Sequence, residues 1–212
     1  SGDIFKIDDI DLILDEIVDK QALVLGPGIG VNESTRQLVI RLYHEVKCPL
    51  VIDADALNLL ALSAKEINIP AGPRIFTPHP GELGRLIARS PKDIQSDRLD
   101  AAHTGCSLFK KSDHDIILIL KGADTLILDN NGSVTINSTG NPGMAAGGMG
   151  NVLSGMIGAF LCQGMSPCNA AIAGVFLHGE AGDELYRKKG IGYTAGELTD
   201  RIPVTLKKLV QI

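Results

Sequence analysis

The sequence predicts an α/β protein with a mostly parallel sheet and helices on both faces. Short runs rich in Ile, Leu and Val alternate with longer segments of helical periodicity along the 212 residues. Such strand–helix alternation is typical of a parallel sheet with crossover helices. Several of the short runs are apolar throughout rather than alternating, which indicates strands that are covered on both faces.

Six strands and seven helices follow from these patterns. The strands are predicted at 22–26, 50–53, 74–77, 116–121, 125–129 and 134–137. The helices are predicted at 33–47, 54–64, 80–88, 95–112, 150–163, 167–187 and 195–210. The Asp-Asn-Asn-Gly sequence at 129–132 predicts a hairpin turn between the last two strands. Since there is no internal repeat or linker-like segment, we expect one domain over 1–212.

Composition narrows the class of protein. The chain is 44% hydrophobic and 21% charged, as in globular proteins, and its net charge is −5 without a basic cluster, which argues against nucleic acid as a partner. The four cysteines form no CxxC pair, which favours reduced thiols over a metal or disulfide role. Glycine or charge breaks each apolar run before it could span a bilayer. We therefore expect a cytoplasmic protein with no membrane partner.

A glycine-rich stretch at 140–150 runs directly into an apolar segment of helical character. Glycines let a backbone approach a ligand closely and adopt positive φ. A helix that begins there directs its free N–H groups and the positive end of its dipole at the loop. This arrangement predicts an anion site, with Asn151 at its mouth.

Unusual loops follow the predicted strands, and in open α/β sheets ligands bind beyond the carboxyl ends of strands. The Gly-Pro-Gly-Ile-Gly sequence at 26–30 follows the first strand, although a turn into a helix explains it equally well. Asp53 and Asp55 follow the second strand and could orient a metal, a hydroxyl or a loop. The alternative for either carboxylate is N-capping of the next helix.

The third and fourth strands also end in candidate site residues. Pro78 and Pro80 stiffen the backbone around His79, which favours a ligand contact over a structural role for the imidazole. Glu82 falls in the first turn of the next helix, where dipole compensation alone would explain it. The Lys-Gly-Ala-Asp-Thr sequence at 121–125 suits contact with a phosphate, and its alternative is an ordinary hairpin.

Taken in order, the segments GPGIG, VIDADALNLL, TPHPGELGRL, LKGADTLI and NPGMAAGGMGNVLSG closely resemble the ADP/ATP-dependent NAD(P)H-hydrate dehydratases. The resemblance extends from about Gly26 to the C-terminus and implies a ribokinase-like fold. It also implies conversion of the hydrates NADHX and NADPHX to NADH and NADPH. Members use ADP or ATP with Mg²⁺ to phosphorylate the hydrate hydroxyl, after which phosphate leaves.

The resemblance assigns residues to two ligands. Around the adenine nucleotide it places Lys121, Gly122, Ala123, Asp124, Thr125 and Gly150. Against the hydrated dinucleotide it places Gly28 or its neighbour Gly30, His79 and Asn151.

Residue 151 departs from the family pattern, which has Asp there as the base that takes the hydroxyl proton. Asn can hydrogen-bond the hydroxyl but cannot accept its proton. Loss of a positioned general base lowers rates by ~10²–10⁴-fold. We therefore expect an impaired enzyme, or one that relies on another base.

The start of the chain is a second departure. Family members carry a further N-terminal part before anything that resembles residues 1–20, so we expect that part to be absent and expect a homo-oligomer or pairing with the missing segment. Two other functions stay open. One is a ribokinase-like small-molecule kinase, against which TPHPGE argues, and the other is a catalytically silent nucleotide-binding protein, which Asn151 favours.

Overall fold

Six strands form one sheet in the order β1-β2-β3-β4-β5-β6 in a computed structural model that describes residues 5–63, 67, 69–109 and 112–210. The strands are β1 (Leu23–Leu25), β2 (Leu50–Ile52), β3 (Arg74–Phe76), β4 (Ile116–Leu120), β5 (Leu126–Asp129) and β6 (Val134–Ile136). The first four are parallel, whereas β5 and β6 add as antiparallel hairpins. The predicted turn at 129–132 joins β5 to β6, as expected.

Nine α-helices lie within the described residues. They are α1 (Ile10–Ile17), α2 (Glu33–Glu45), α3 (Ala54–Leu62), α4 (Pro80–Ile87), α5 (Pro91–Ser96), α6 (Arg98–Ser107), α7 (Met149–Cys162), α8 (Pro167–Lys189) and α9 (Ala195–Leu209). Short 3₁₀ turns occupy Ile7–Asp9 and Pro142–Met144.

The predicted helix at 95–112 is wrong in its extent, because two helices cover this part of the chain. Ser90 caps α5, and the Asp97 side chain accepts a hydrogen bond from the Asp100 amide to begin α6. Helix α1 is an addition that the sequence patterns did not predict. Residue 64 of the predicted helix 54–64 and residues 110–111 of the predicted helix 95–112 lie outside the described residues.

Both faces of the sheet are buried along β2 to β5, as the continuous apolar strands predict, whereas the edge strand β6 is exposed. Leu50 and Ile52 pack into a core with α2, α3, α4 and α6, whereas Val51 between them packs into a second core with α7 and α8. Side chains alternate across a strand, so each strand serves two helical layers. The carboxyl ends of β1 to β4 are thereby fixed at one edge of the sheet.

A buried carboxylate ties α8 to α9. Glu184 accepts hydrogen bonds from Lys208 Nζ at 2.8 Å, from Thr205 Oγ1 at 3.1 Å and from Arg201. Burial alone would raise the pKa of Glu184, but the hydrogen bonds from Lys208, Arg201 and Thr205 lower it to about 2. The folded state therefore favours the ionised carboxyl group.

We expect Glu184→Gln to weaken the dependence of the free energy of unfolding on pH at acid pH. Because the folded pKa of about 2 lies below the ordinary value of 4.5, the carboxylate stabilises the fold fully above the ordinary value. That contribution is lost as the pH falls from 4.5 to about 2. Urea unfolding between pH 2 and 7 measures it, with Glu180→Gln as the control because Glu180 forms an exposed ion pair with Arg187. Identical profiles for the two variants would contradict the assignment.

Candidate functional site

A cavity of about 790 Å³ opens beside the carboxyl ends of β3 and β4. Its wall comes from the start of α4, the β4–β5 turn, the loop after β6, the first turns of α7 and the middle of α8. This volume lies in the range of small-molecule and cofactor sites.

The structure brings most of the predicted nucleotide and substrate residues together and leaves three apart. All five residues of 121–125, together with Gly150 and His79, line the cavity. Gly28, Gly30 and Asn151 lie outside its wall. Asn151 is an exposed side chain in the first turn of α7, directly after the cavity residue Gly150.

Asp53 and Lys121 form an ion pair at the edge of this cavity. Lys121 Nζ lies 2.8 Å from Asp53 Oδ1 and 3.7 Å from Glu82 Oε2, and Ser154 Oγ donates to Asp53 Oδ2 at 2.7 Å. Burial raises the pKa of Asp53, but the Lys121 charge and the hydrogen bonds from Lys121, Ser154 and Thr77 outweigh burial and lower it. The site therefore holds a buried carboxylate and a fixed ammonium group.

The N-capping alternative for the two aspartates of this loop is wrong. Asp53 stands at the N-cap position of α3, but its side chain makes no cap hydrogen bond. Asp55 Oδ2 instead accepts a hydrogen bond from the Gly30 amide at 3.0 Å. Asp55 thus orients the 26–30 loop, which was one of the roles that the sequence suggested.

The first turn of α7 comes directly against the Asp53–Lys121 pair. Gly148 is its N-cap with φ of 85°, a conformation that suits glycine. A Cβ at Gly150 would lie 3.4 Å from Lys121 Nζ and 3.7 Å from Asp53 Oδ2. Free helix N–H groups and an ammonium group therefore converge on one point of the cavity wall, which suits a phosphate.

His79 has a structural role, contrary to the expectation that favoured ligand contact alone. Its Nδ1 accepts hydrogen bonds from the amides of Gly81 at 2.9 Å and Glu82 at 3.3 Å. Glu82 Oε2 in turn accepts from the His79 amide at 2.8 Å, which completes a capping box. The imidazole remains half exposed and lines the cavity, so Nε2, which lies 3.5 Å from Glu82 Oε1, can also meet a ligand.

Removal of this cap is expected to lower stability. We expect His79→Ala to reduce the free energy of unfolding by about 1 kcal/mol, the usual cost of a lost N-cap. His79→Asn is the matched control, because Asn is among the best N-cap residues and lacks an atom at the Nε2 position. Thermal unfolding of both variants measures the effect, and equal melting temperatures for wild type and His79→Ala would contradict it.

Sequence reasoning missed two polar side chains of the site. Ser154 lies in the apolar part of α7, and His178 lies in α8, where its Nε2 is 2.9 Å from the Met149 carbonyl oxygen. In the sequence, both residues stand out only as polar side chains within apolar helical segments. Such an exception to the hydrophobic pattern marks a position, but it does not indicate which residue the side chain contacts.

The described ranges contain neither a preformed metal cluster nor a membrane-spanning helix. Within them, no group of three or more His, Cys, Asp or Glu side chains is arranged to hold a metal ion. No helix in this part of the chain has the length and apolar character needed to cross a membrane.

The fold and cavity define a ribokinase-like protein. A ribokinase-like superfamily protein from Enterococcus faecalis superposes with a TM-score of 0.78 at 27% identity, over 95% of this chain and 68% of that one. The ADP/ATP-dependent NAD(P)H-hydrate dehydratase of Bacillus subtilis, co-crystallised with ATP/Mg²⁺, gives 0.77 at 33% identity over 89% and 64%. The family model described as NAD(P)H-hydrate dehydratase matches residues 8–204, and this chain belongs to that family.

Curated relatives agree with this assignment. The bifunctional NAD(P)H-hydrate repair enzyme of Moorella thermoacetica is 41% identical over 203 residues, which are 95% of this chain and 37% of the relative. The ADP-dependent (S)-NAD(P)H-hydrate dehydratase of Neisseria meningitidis is 36% identical over 185 residues, or 85% of this chain and 61% of the relative. The chain thus spans little more than a third of the bifunctional relative.

Proposed function

We propose that this chain catalyses the adenine-nucleotide-dependent dehydration of NADHX and NADPHX, in the cytoplasm. The observation that carries the proposal is the position of the Lys121 ammonium group. It is fixed by Asp53 and lies against the first turn of α7, on the wall of a cavity that also contains the whole 121–125 turn. The four free cysteines of the chain are compatible with a reducing compartment.

The phosphates of the nucleotide would lie where Lys121 and the N-terminus of α7 converge. Both carry positive charge and both donate hydrogen bonds, which suits a transferring phosphoryl group. The neighbouring turn at 121–125 offers its backbone to the rest of the nucleotide. Asp53, which accepts a hydrogen bond from Ser154, holds the ammonium group in place, which lowers the cost of ordering it when the nucleotide binds.

Mg²⁺ would arrive with the nucleotide and neutralise phosphate charge. Magnesium in such sites is usually bound by one or two carboxylates together with phosphates and water. Asp53 and Glu82 are the carboxylates nearest to Lys121, so they are the side chains that would hold it.

The hydrated dinucleotide would bind on the other side of residue 150, beyond the ends of β1 and β2. Gly28 and Gly30 lie in that loop, where Asp55 holds the Gly30 amide. Their positive φ values of 73° and 82° and the open space around them allow a ligand to approach the backbone. Asn151 would meet the hydroxyl group, and His79 Nε2 would contact the dinucleotide.

In the proposed reaction the hydrate hydroxyl oxygen takes the terminal phosphoryl group of the nucleotide and releases its proton. The C–O bond then breaks, phosphate leaves, and loss of a neighbouring C–H proton restores the double bond. The products are NADH or NADPH, inorganic phosphate, a proton, and AMP or ADP. Preorganised donors at α7 would stabilise the charge that develops on the phosphoryl oxygens.

Two measurements test this function. Calorimetry with ADP and with ATP should show binding, since Asn151 removes no donor from the cavity wall. Incubation with NADHX, Mg²⁺ and either nucleotide should then regenerate NADH absorbance. No detectable binding at millimolar nucleotide would defeat the proposal.

The same experiment separates a second candidate, a catalytically silent nucleotide-binding protein. The observation that favours this candidate is the neutral side chain of Asn151. Nucleotide binding without any NADH, under conditions where a family member regenerates it, would support the silent protein instead.

A further inference from the structure

His178 presents one ring nitrogen to the protein and leaves the other without a hydrogen-bond partner among the described residues. The residue is about 9% exposed, and its Nε2 lies 2.9 Å from the carbonyl oxygen of Met149. A carbonyl oxygen only accepts hydrogen bonds, so Nε2 must carry a proton. Burial lowers the pKa of His178 to about 4, and the nearby Lys121 charge acts in the same direction while the bond to Met149 opposes it. The ring is therefore neutral at pH 7, and Nδ1 carries a lone pair.

The lone pair of Nδ1 is accessible. Nδ1 forms no hydrogen bond within the described part of the chain. Each buried side-chain nitrogen or oxygen that is shielded from solvent there has a hydrogen-bond partner, so the unpartnered Nδ1 must be exposed to solvent in the cavity. His178 lines the 790 Å³ cavity, whose wall also includes the apolar side chains of Leu153, Val175 and Met144. An acceptor with a fixed lone pair among apolar walls is a specificity element, because it penalises any ligand that brings no donor to it.

We propose that His178 Nδ1 accepts a hydrogen bond from the 6-amino group of adenine and so selects adenine over 6-oxopurines. This inference rests on the proposed function, since it concerns the base of the nucleotide held in the same cavity. The apolar walls suit a flat base better than a ribose or a phosphate. A 6-oxopurine would present an oxygen lone pair to the Nδ1 lone pair, and the contact would be repulsive.

Two variants separate the nitrogens of the ring. In His178→Gln the side-chain amide can still donate to the Met149 carbonyl, but no acceptor remains at the Nδ1 position. In His178→Asn the shorter side chain keeps a group near the Nδ1 position and loses the donor to Met149. We therefore expect the glutamine variant to preserve the melting temperature and lose base selectivity. The asparagine variant should have a lower melting temperature and keep base selectivity.

Calorimetry with ADP, IDP and 2′-deoxy-ADP measures the effect. Wild type should bind ADP about tenfold or more tightly than IDP, as expected for one hydrogen bond lost and one acceptor left unpaired. His178→Gln should bring the two dissociation constants within about twofold, and 2′-deoxy-ADP should follow ADP in every protein. An unchanged ADP-to-IDP ratio in a folded His178→Gln protein would overturn the inference. Loss of discrimination only against 2′-deoxy-ADP would also overturn it, because the acceptor would then serve the ribose.

A second readout does not depend on any variant. In ¹⁵N NMR of the histidine rings, the unprotonated Nδ1 of His178 should shift toward the hydrogen-bonded position when ADP is added, and not when IDP is added. A resonance that does not respond to ADP at saturation would overturn the inference. Failure of wild type to bind any adenine nucleotide would instead defeat the proposed function, so the two failures are distinguishable.

Discussion

Asn151→Asp is expected to raise the turnover of NADHX by about two to four orders of magnitude, the range that a positioned general base supplies. The residue stands in the first turn of α7, next to Gly150 on the cavity wall. Aspartate has nearly the same shape and can accept the hydroxyl proton, whereas the amide of Asn151 cannot. Because the side chain is exposed and near a helix N-terminus, the new charge should not reduce stability.

Binding and turnover should move in opposite directions in this variant. The added negative charge lies near the expected phosphates and should weaken the affinity for ADP and ATP. Steady-state kinetics and calorimetry on the matched pair decide the question, with Asn131→Asp as the control because it adds the same charge at an exposed hairpin position. Equal turnover of the wild-type protein and the Asn151→Asp variant would show that residue 151 is not the base.

Lys121→Met is expected to reduce the free energy of unfolding by about 3 kcal/mol, because it leaves the Asp53 carboxylate buried without its counter-ion. The hydroxyl groups of Ser154 and Thr77 do not compensate the charge. The Lys121 side chain is about 20% exposed, which places the expected loss at the low end for a buried pair. Urea unfolding at pH 7 measures this effect.

The double variant Asp53→Asn/Lys121→Met should recover most of the lost stability, since it removes both charges. It should still bind ADP poorly, because the ammonium group that we place at the phosphates is gone. Lys92→Met, at an exposed position of α5, controls for the loss of a positive charge. A double variant as unstable as Lys121→Met alone would show that the ion pair is not the cause.

Much of the fold could be predicted because its signals are local. Apolar runs such as 116–120 can only be strands buried on both faces or helix segments, and their short length decides between the two. The sequence at 129–132 determines a tight turn through its own backbone preferences. The division of 95–112 into α5 and α6 was missed because Asp97, which caps the second helix, is also compatible with a helical interior.

The candidate site was predictable as a set of loops, and its contacts were not. Lys121 and Asp53 are 68 residues apart, and Ser154 is 101 residues from Asp53, so no local pattern connects them. The capping role of His79 was missed for a different reason. The usual N-cap residues are Ser, Thr, Asp and Asn, and a histidine that caps through Nδ1 has no comparable signature.

What the sequence by itself determined is the order of strands and helices, the glycine-rich start of α7 and the identity of residue 151. Each depends on the conformational or chemical preferences of residues that are adjacent in the chain. The tertiary structure alone decided that Asp53 holds Lys121 and that His178 turns a lone pair toward the cavity. The physical reason is that a parallel sheet brings the ends of separate strands to one edge, where buried polar groups must find partners from distant parts of the chain.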